Sequence, residues 1–304
     1  MKERKLKDVA ASIRRRLSNA AQASGRPFQE LVQYFAMERF LCRLSHSKHA
    51  DRFVLKGALM LMVWRVSSSR PTKDIDLLGR MPNNIEAVAN AIRDACVQQV
   101  DPDGLTFDPD TVEGRVITED ADYEGVRVTF RGSLQNMPLA MQIDVGFGDV
   151  IYPQPTLAEY PTILDHEPPK LQTYSREAAI AEKFEAMVKL GQLNSRMKDF
   201  YDVWQLSQQF DFDGATLASA IEKTFAHRGT AIPANPTAFT AEFASDSTKA
   251  KQWQGFLRKS RLQDAPMDLK VVVDQIASFL SPLAAALNAG KSFNRTWRHP
   301  GPWN

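Results

Sequence analysis

Residues 53–79 read FVLKGALMLMVWRVSSSRPTKDIDLLG, and the Asp74-Ile75-Asp76 triplet near their end is the feature that most limits what this chain can become. With a strand over Ile75 to Leu78, side chains alternate between faces, so Asp74 and Asp76 share one face while Ile75 points into the core. Two carboxylates about 7 Å apart on one face repel each other unless a cation sits between them. Hard, oxygen-seeking Mg²⁺ is the usual answer, because it binds through one or two carboxylates plus substrate phosphates. Taken alone, the triplet is more often an exposed edge strand with two solvated aspartates.

The chain has 304 residues, enough for two domains, or one with appendages, around a substantial core. A formal net charge of +2 gives no whole-protein case for nucleic acid. Locally, Lys2, Arg4, Lys5, Lys7, Arg14, Arg15 and Arg16 crowd the first turns. Such a cluster suits phosphate contacts, although it is more often a solvated helix face. Cys42 and Cys96 are too few for a disulfide framework or a zinc site. The five histidines show no His-x-x-x-His spacing, which argues against a zinc enzyme. The start is charged, without the apolar core of a signal peptide, and no apolar run reaches the roughly 18 residues of a membrane span. A soluble cytoplasmic protein is expected.

Helical spacing predicts one helix over 10–23, ending at Ser24-Gly25, and a second from Pro27. Residues 55–66 read as a further buried helix, since Leu59 to Trp64 is apolar on nearly all sides. An amphipathic helix over 85–92 follows the aspartate strand. Strands at 114–118, 125–130 and 139–145 then suggest a meander joined to it. The Pro-rich stretch 152–169 reads as an irregular connection. Beyond Ser175, which fits a helix cap, helices are expected near 176–188, from 196, and over 214–226, 248–260 and 267–287. Residues 290–304 read as an extended tail.

Three further features bear on the aspartate pair. Asp144 lies within the apolar strand Met141-Gln-Ile-Asp-Val145. Buried and unpaired, it would cost several kcal/mol. It therefore ends its strand, finds a partner or joins a metal site. Lys183 lies at the border of an apolar face and is placed to reach a cleft, while Lys198 and Asp202 at i, i+4 read as a surface pair. Gly57 allows backbone N–H groups to approach a phosphate at a helix start.

Together these residues resemble the nucleotidyltransferase superfamily, and within it the AbiEii/AbiGii toxin family. The likeness rests on Phe53-Val-Leu-Lys-Gly-Ala, Arg70-Pro-Thr-Lys-Asp-Ile-Asp-Leu-Leu, Ala181-Glu-Lys-Phe and Arg196-Met-Lys-Asp-Phe-Tyr-Asp, and spans residues 8–230. One departure is Ala58 after Gly57, where the superfamily commonly has Gly or Ser. A phosphate-contacting hydroxyl is thus absent, leaving backbone N–H groups, Lys56 or the Ser67–Ser69 loop to take its place. A second departure is the longer spacing from Gly57 to Asp74.

The resemblance implies an α+β fold: a helical segment over 1–50, a small mixed β-sheet core of nucleotidyltransferase type over 51–170, flanked by helices, a C-terminal helical domain over 171–289 and the tail 290–304. It implies a nucleoside triphosphate donor with Mg²⁺, or Mn²⁺ in its place, held by Asp74 and Asp76; Asp144, if it converges on them, would bind a second metal or help activate the attacking hydroxyl. Lys183 would neutralise triphosphate charge, and Asp199 would act as base or orient the lysine. Lys56, Gly57, Arg70, Thr72 and Arg196 would contact the nucleotide. The favoured acceptor is RNA, at the 3′ end of tRNA, and a cognate antitoxin is the expected partner. The alternatives are a protein acceptor, a phosphohydrolase, or a non-catalytic nucleotide-binding protein of the same fold.

Overall fold

The structure, a computed structural model, describes the backbone of residues 2–119 and 123–304 and the side chains of residues 9–118 and 124–304. Contacts divide the chain into two compact units, residues 1–65, 71–148 and 156–173 forming unit 1 and residues 66–70, 149–155 and 174–304 forming unit 2.

Unit 1 opens with α1 (Lys2–Ser24), which stops where Gly25 takes a φ of +67°, a left-handed turn that suits glycine at a helix end. Pro27 then starts α2 (Phe28–His46), whose residues 31–32 and 34–44 are all buried. After β1 (Phe53–Lys56) come a short 3₁₀ turn, α3 (Met60–Val63) and β2 (Ile75–Gly79). Helix α4 (Ile85–Cys96) begins at Asn84, whose side chain accepts from the Ala87 N–H at 2.9 Å. Strands β3 (Leu105–Glu119), β4 (Tyr123–Leu134) and β5 (Met137–Phe147) form the expected meander, each longer than its apolar core suggests. The pairing of β3 with β4 slips between Asp108 and Glu113, around Pro109, which lacks an N–H for the ladder. Strands β6 (Thr156–Glu159) and β7 (Lys170–Thr173) complete a seven-stranded mixed sheet of order β3-β4-β5-β2-β1-β7-β6. The core combines this sheet with α1, α2 and α4, and includes Leu17, Phe35, Phe53, Ile75 and Ile92 together with the clustered rings of Phe40, Phe107 and Phe130.

Three sequence expectations change here. Residues 53–56 are a strand rather than the lead into a helix over 55–66, because a short all-apolar run has no periodicity to separate the two. Pairing with β2 on one side and β7 on the other decides the matter. The aspartate strand is not an edge strand, since β2 lies between β5 and β1 at the centre of the sheet. The Pro-rich stretch 152–169 is not wholly irregular, since it contains β6.

Unit 2 is mainly helical. Ser175 caps α5 (Arg176–Leu190), accepting from the Ala178 N–H at 3.1 Å. There follow α6 (Met197–Gln209), β8 (Phe212–Asp213), α7 (Gly214–His227), α8 (Ala241–Ser245), α9 (Ser247–Ser260) and α10 (Leu269–Asn288). Contrary to expectation, α10 is long enough and apolar enough, by length and composition, for a membrane span. Its stripe Val272, Ile276, Phe279, Leu280 and Leu283 is buried inside unit 2. The segment 290–304 is anchored: β9 (Thr296–Trp297) pairs with β8, Trp297 Nε1 donates to the Ser207 carbonyl at 2.7 Å, and Trp303 Nε1 donates to the Phe279 carbonyl at 2.8 Å.

Candidate metal centre

Strand register builds the site. Lys56 on β1 pairs with Asp76 on β2, Asp76 pairs with Asp144 on β5, and Asp144 pairs with Arg127 on β4. Residues in register on neighbouring strands share a face, so one row across four strands reads Lys, Asp, Asp, Arg. Asp74 lies in the bend just before β2 begins at Ile75. Carboxylate oxygens of Asp74, Asp76 and Asp144 all lie within 4.8 Å of one another.

Local structure makes room for this grouping. At Gly57 the chain leaves β1 with φ at +71°, and a Cβ there would stand 2.0 Å from Asp76 Oδ2. The Asp76 carboxylate thus occupies space that only glycine leaves open, a reason for Gly57 distinct from phosphate approach. Thr72 Oγ1 donates to Asp74 Oδ1, and the Thr72 N–H donates to the Tyr34 hydroxyl at 3.0 Å, tying the segment before β2 to α2. Asp144, the most buried of the three, is gripped by Arg127 in a bidentate pair, with Nε to Oδ1 at 2.7 Å and Nη2 to Oδ2 at 2.6 Å. Gln142 Nε2 adds a longer bond of 3.4 Å to Oδ2.

Two unit negative charges within 4.8 Å repel by at least about 3.5 kcal/mol at an effective dielectric constant of about 20. Arg127 relieves part of this at Asp144. The three aspartates offer oxygen donors only, so the group fits Mg²⁺ or Mn²⁺ and lacks the sulfur and nitrogen ligands typical of zinc.

Unit 2 contains a second charged constellation. Lys183 on α5 donates to Asp199 Oδ1 at 2.7 Å and lies 2.8 Å from Asp202 Oδ2, both aspartates being on α6. Arg196 Nε holds the other Asp199 oxygen at 2.6 Å. Arg70 clasps Asp202 through Nε at 2.8 Å and Nη2 at 3.0 Å. Burial opposes charge on Lys183, but the carboxylates of Asp199 and Asp202 outweigh it and hold its pKa above the ordinary lysine range. Burial likewise opposes ionised Asp199, yet Lys183 and Arg196 hold it well below the usual carboxylate range. Asp202 is also held low: burial is outweighed by Arg70 and Lys183. With both oxygens taken by cations, Asp199 is a weak proton acceptor, and the geometry suits orienting Lys183.

The structure therefore gathers Asp74, Asp76 and Asp144 in unit 1, with Lys56, Gly57 and Thr72 around them. It gathers Lys183, Asp199, Arg70 and Arg196 in unit 2. Asp202 is buried in that network rather than paired on the surface with the exposed Lys198. Arg127 was not anticipated. Its only sequence signal is a charge amid the β-branched alternation of Val126, Val128 and Thr129, which has no meaning until register places it opposite Asp144. Of the basic N-terminal cluster, the side chains of Lys2, Arg4, Lys5 and Lys7 lie outside the described residues. Arg14 and Arg15 line a surface cavity of about 590 Å³ with Ala11, Ser18, Asn19, Phe28 and Gln135.

Residues 39–280 match the family described as the nucleotidyl transferase AbiEii toxin of type IV toxin–antitoxin systems. Among solved structures, JHP933 from Helicobacter pylori is similar at 16% identity, with a TM-score of 0.48 over 86% of this chain and 97% of that one. A second H. pylori chain, described as a candidate nucleotidyltransferase, is 14% identical with a TM-score of 0.46, over 86% and 97% of the two chains. No curated protein matches.

Proposed function

Because the chain belongs to the AbiEii nucleotidyl transferase toxin family, whose type IV systems pair a toxin with an antitoxin, we propose that it transfers a nucleotide from a nucleoside triphosphate to the 3′ end of tRNA, with Mg²⁺ as cofactor. The observation that carries the chemical part is the convergence of the Asp74, Asp76 and Asp144 oxygens within 4.8 Å, at a point opened by Gly57. Asp74 and Asp76 are the metal ligands, and Asp144, with its orientation set by Arg127, is the third. When bound, the ion polarises the α-phosphate and eases departure of pyrophosphate.

The reaction forms a bond between the acceptor 3′-oxygen and the α-phosphorus and breaks the bond from that phosphorus to the α,β-bridging oxygen. The hydroxyl proton is lost to solvent. Thr72, bonded to Asp74, and Lys56, in register with Asp76, are assigned to holding the carboxylates and the phosphates at this sheet face. Lys183 is assigned to neutralising triphosphate charge. Family likeness and its firmly protonated state support that role, with Asp199 and Asp202 orienting it. Arg70 and Arg196 steady those carboxylates, and nucleotide contact is also proposed for both.

The choice of tRNA rests on the family likeness and on Arg14 and Arg15, which present guanidinium groups at the surface of α1. The test incubates the protein with each labelled triphosphate, Mg²⁺, total RNA and cell protein. Label in tRNA with release of pyrophosphate, lost in Asp74→Ala and Lys183→Ala, is the expected result. Label confined to protein rejects the tRNA acceptor. Triphosphate binding with no transfer to either rejects the enzyme reading.

A further inference from the structure

We propose that Cys42, His46 and Glu167 form a second metal site in unit 1, separate from the aspartates and suited to a borderline ion such as Zn²⁺. Cys42 and His46 are four residues apart on α2 and therefore share a helix face. One ligand atom from each of the three residues lies within 4.8 Å of the other two. His46 Nε2 is 3.5 Å from Glu167 Oε1, and Cys42 Sγ lies 3.8 Å from the other ring nitrogen, Nδ1.

The surrounding hydrogen bonds are those a metal site needs. His46 Nδ1 lies 2.9 Å from the Cys42 carbonyl oxygen, and donation there leaves Nε2 as a lone pair directed toward Glu167. Metal-bound histidines usually tie down their second nitrogen in this way. A lone pair facing a carboxylate oxygen at 3.5 Å is repulsive until a proton or a cation lies between them. Arg39, itself 1% exposed, donates through Nη2 to Cys42 Sγ at 2.9 Å and through Nη1 to the Glu167 carbonyl at 2.8 Å. One guanidinium thus fixes both the sulfur and the backbone that carries Glu167, and Asp103 holds that guanidinium at 3.3 Å.

Donation from a cation to sulfur favours thiolate, the form that binds metal. Burial outweighs Arg39 and pushes the Cys42 thiol up, so the group is a neutral thiol before metal arrives. As the sulfur–metal bond forms, its proton passes to solvent. A sulfur, nitrogen and oxygen set selects Zn²⁺ over Mg²⁺ and leaves a fourth tetrahedral position open. The Cys-x-x-x-His spacing differs from the His-x-x-x-His pattern whose absence argued against zinc, and its third ligand lies more than a hundred residues along the chain.

The test titrates the metal-free full chain carrying Asp74→Asn and Asp76→Asn with Co²⁺ alone. One equivalent is expected to bind with thiolate-to-cobalt charge-transfer absorption that Zn²⁺ displaces. His46→Gln and Glu167→Gln change exposed residues, so the fold stays intact by circular dichroism, and each should weaken Co²⁺ binding roughly tenfold or more. Cys42→Ser should abolish the absorption, whereas Cys96→Ser should leave it. Absence of the band in the parent, its survival in Cys42→Ser, or unchanged affinity in both His46→Gln and Glu167→Gln overturns the proposal.

Discussion

Replacing Gly57 by alanine tests the geometry of the aspartate group directly. The residue has φ at +71°, and the added Cβ would lie 2.0 Å from Asp76 Oδ2, 2.6 Å from its Cγ and 2.7 Å from its Cβ. Ordinary contact begins at 3.4 Å, so the Asp76 oxygen must retreat by about 1.4 Å, the difference between 3.4 and 2.0. Alanine in a left-handed conformation costs roughly 1–2 kcal/mol. Forcing a packed neighbour aside adds roughly 1–3 kcal/mol. Gly25→Ala supplies the control, since its φ is +67° and nothing lies within 4 Å of its Cβ position. Urea unfolding should therefore show Gly25→Ala down by about 1–2 kcal/mol and Gly57→Ala by about 2–5 kcal/mol. Mn²⁺ titration by calorimetry should show affinity roughly tenfold weaker or worse in Gly57→Ala alone, because a ligand has been displaced. Equal destabilisation in the two variants, with unchanged Mn²⁺ affinity in Gly57→Ala, would refute this reading of the site.

Arg127→Met removes the bidentate partner of Asp144 and should cost about 1–3 kcal/mol in thermal unfolding without metal. Saturating Mn²⁺ should restore part of that loss by supplying the missing positive charge, and an identical deficit with and without Mn²⁺ would count against a shared site. Lys183→Met leaves Asp199 buried against Arg196 and Asp202 buried against Arg70, without the lysine they share, and should cost about 3–5 kcal/mol. The folded pKa values of both aspartates are lowered, so the stability they contribute is complete above about pH 4 and is lost as pH falls further. That of Lys183 is raised, so its contribution is complete below about pH 10.4 and is lost as pH rises through the folded value. Urea midpoints across pH should show both limbs in the parent, whereas Lys183→Met should lose the alkaline one. An unchanged alkaline limb would show that another group causes it.

Local sequence determined a good deal. Ser175 announced a helix start because a short polar side chain can accept from an N–H three residues on, and the structure has that bond. The alternation in Ile75-Asp76-Leu77 placed Asp74 and Asp76 on one face, since the strand period is a property of the chain itself. The ordered motifs carried the family. Register, however, belongs to pairs of strands. That Asp76 stands between Lys56 and Asp144, and Asp144 beside Arg127, follows only from how β1, β2, β5 and β4 align. The same limit made Phe53–Lys56 unreadable as a strand, hid Asp202 as the partner of Arg70, and left Trp297 and Trp303 to be read as tail. Sequence by itself supplied the aspartates and their shared face. Tertiary structure decided which charges surround them, because a carboxylate interacts through distance across the fold and not through separation along the chain.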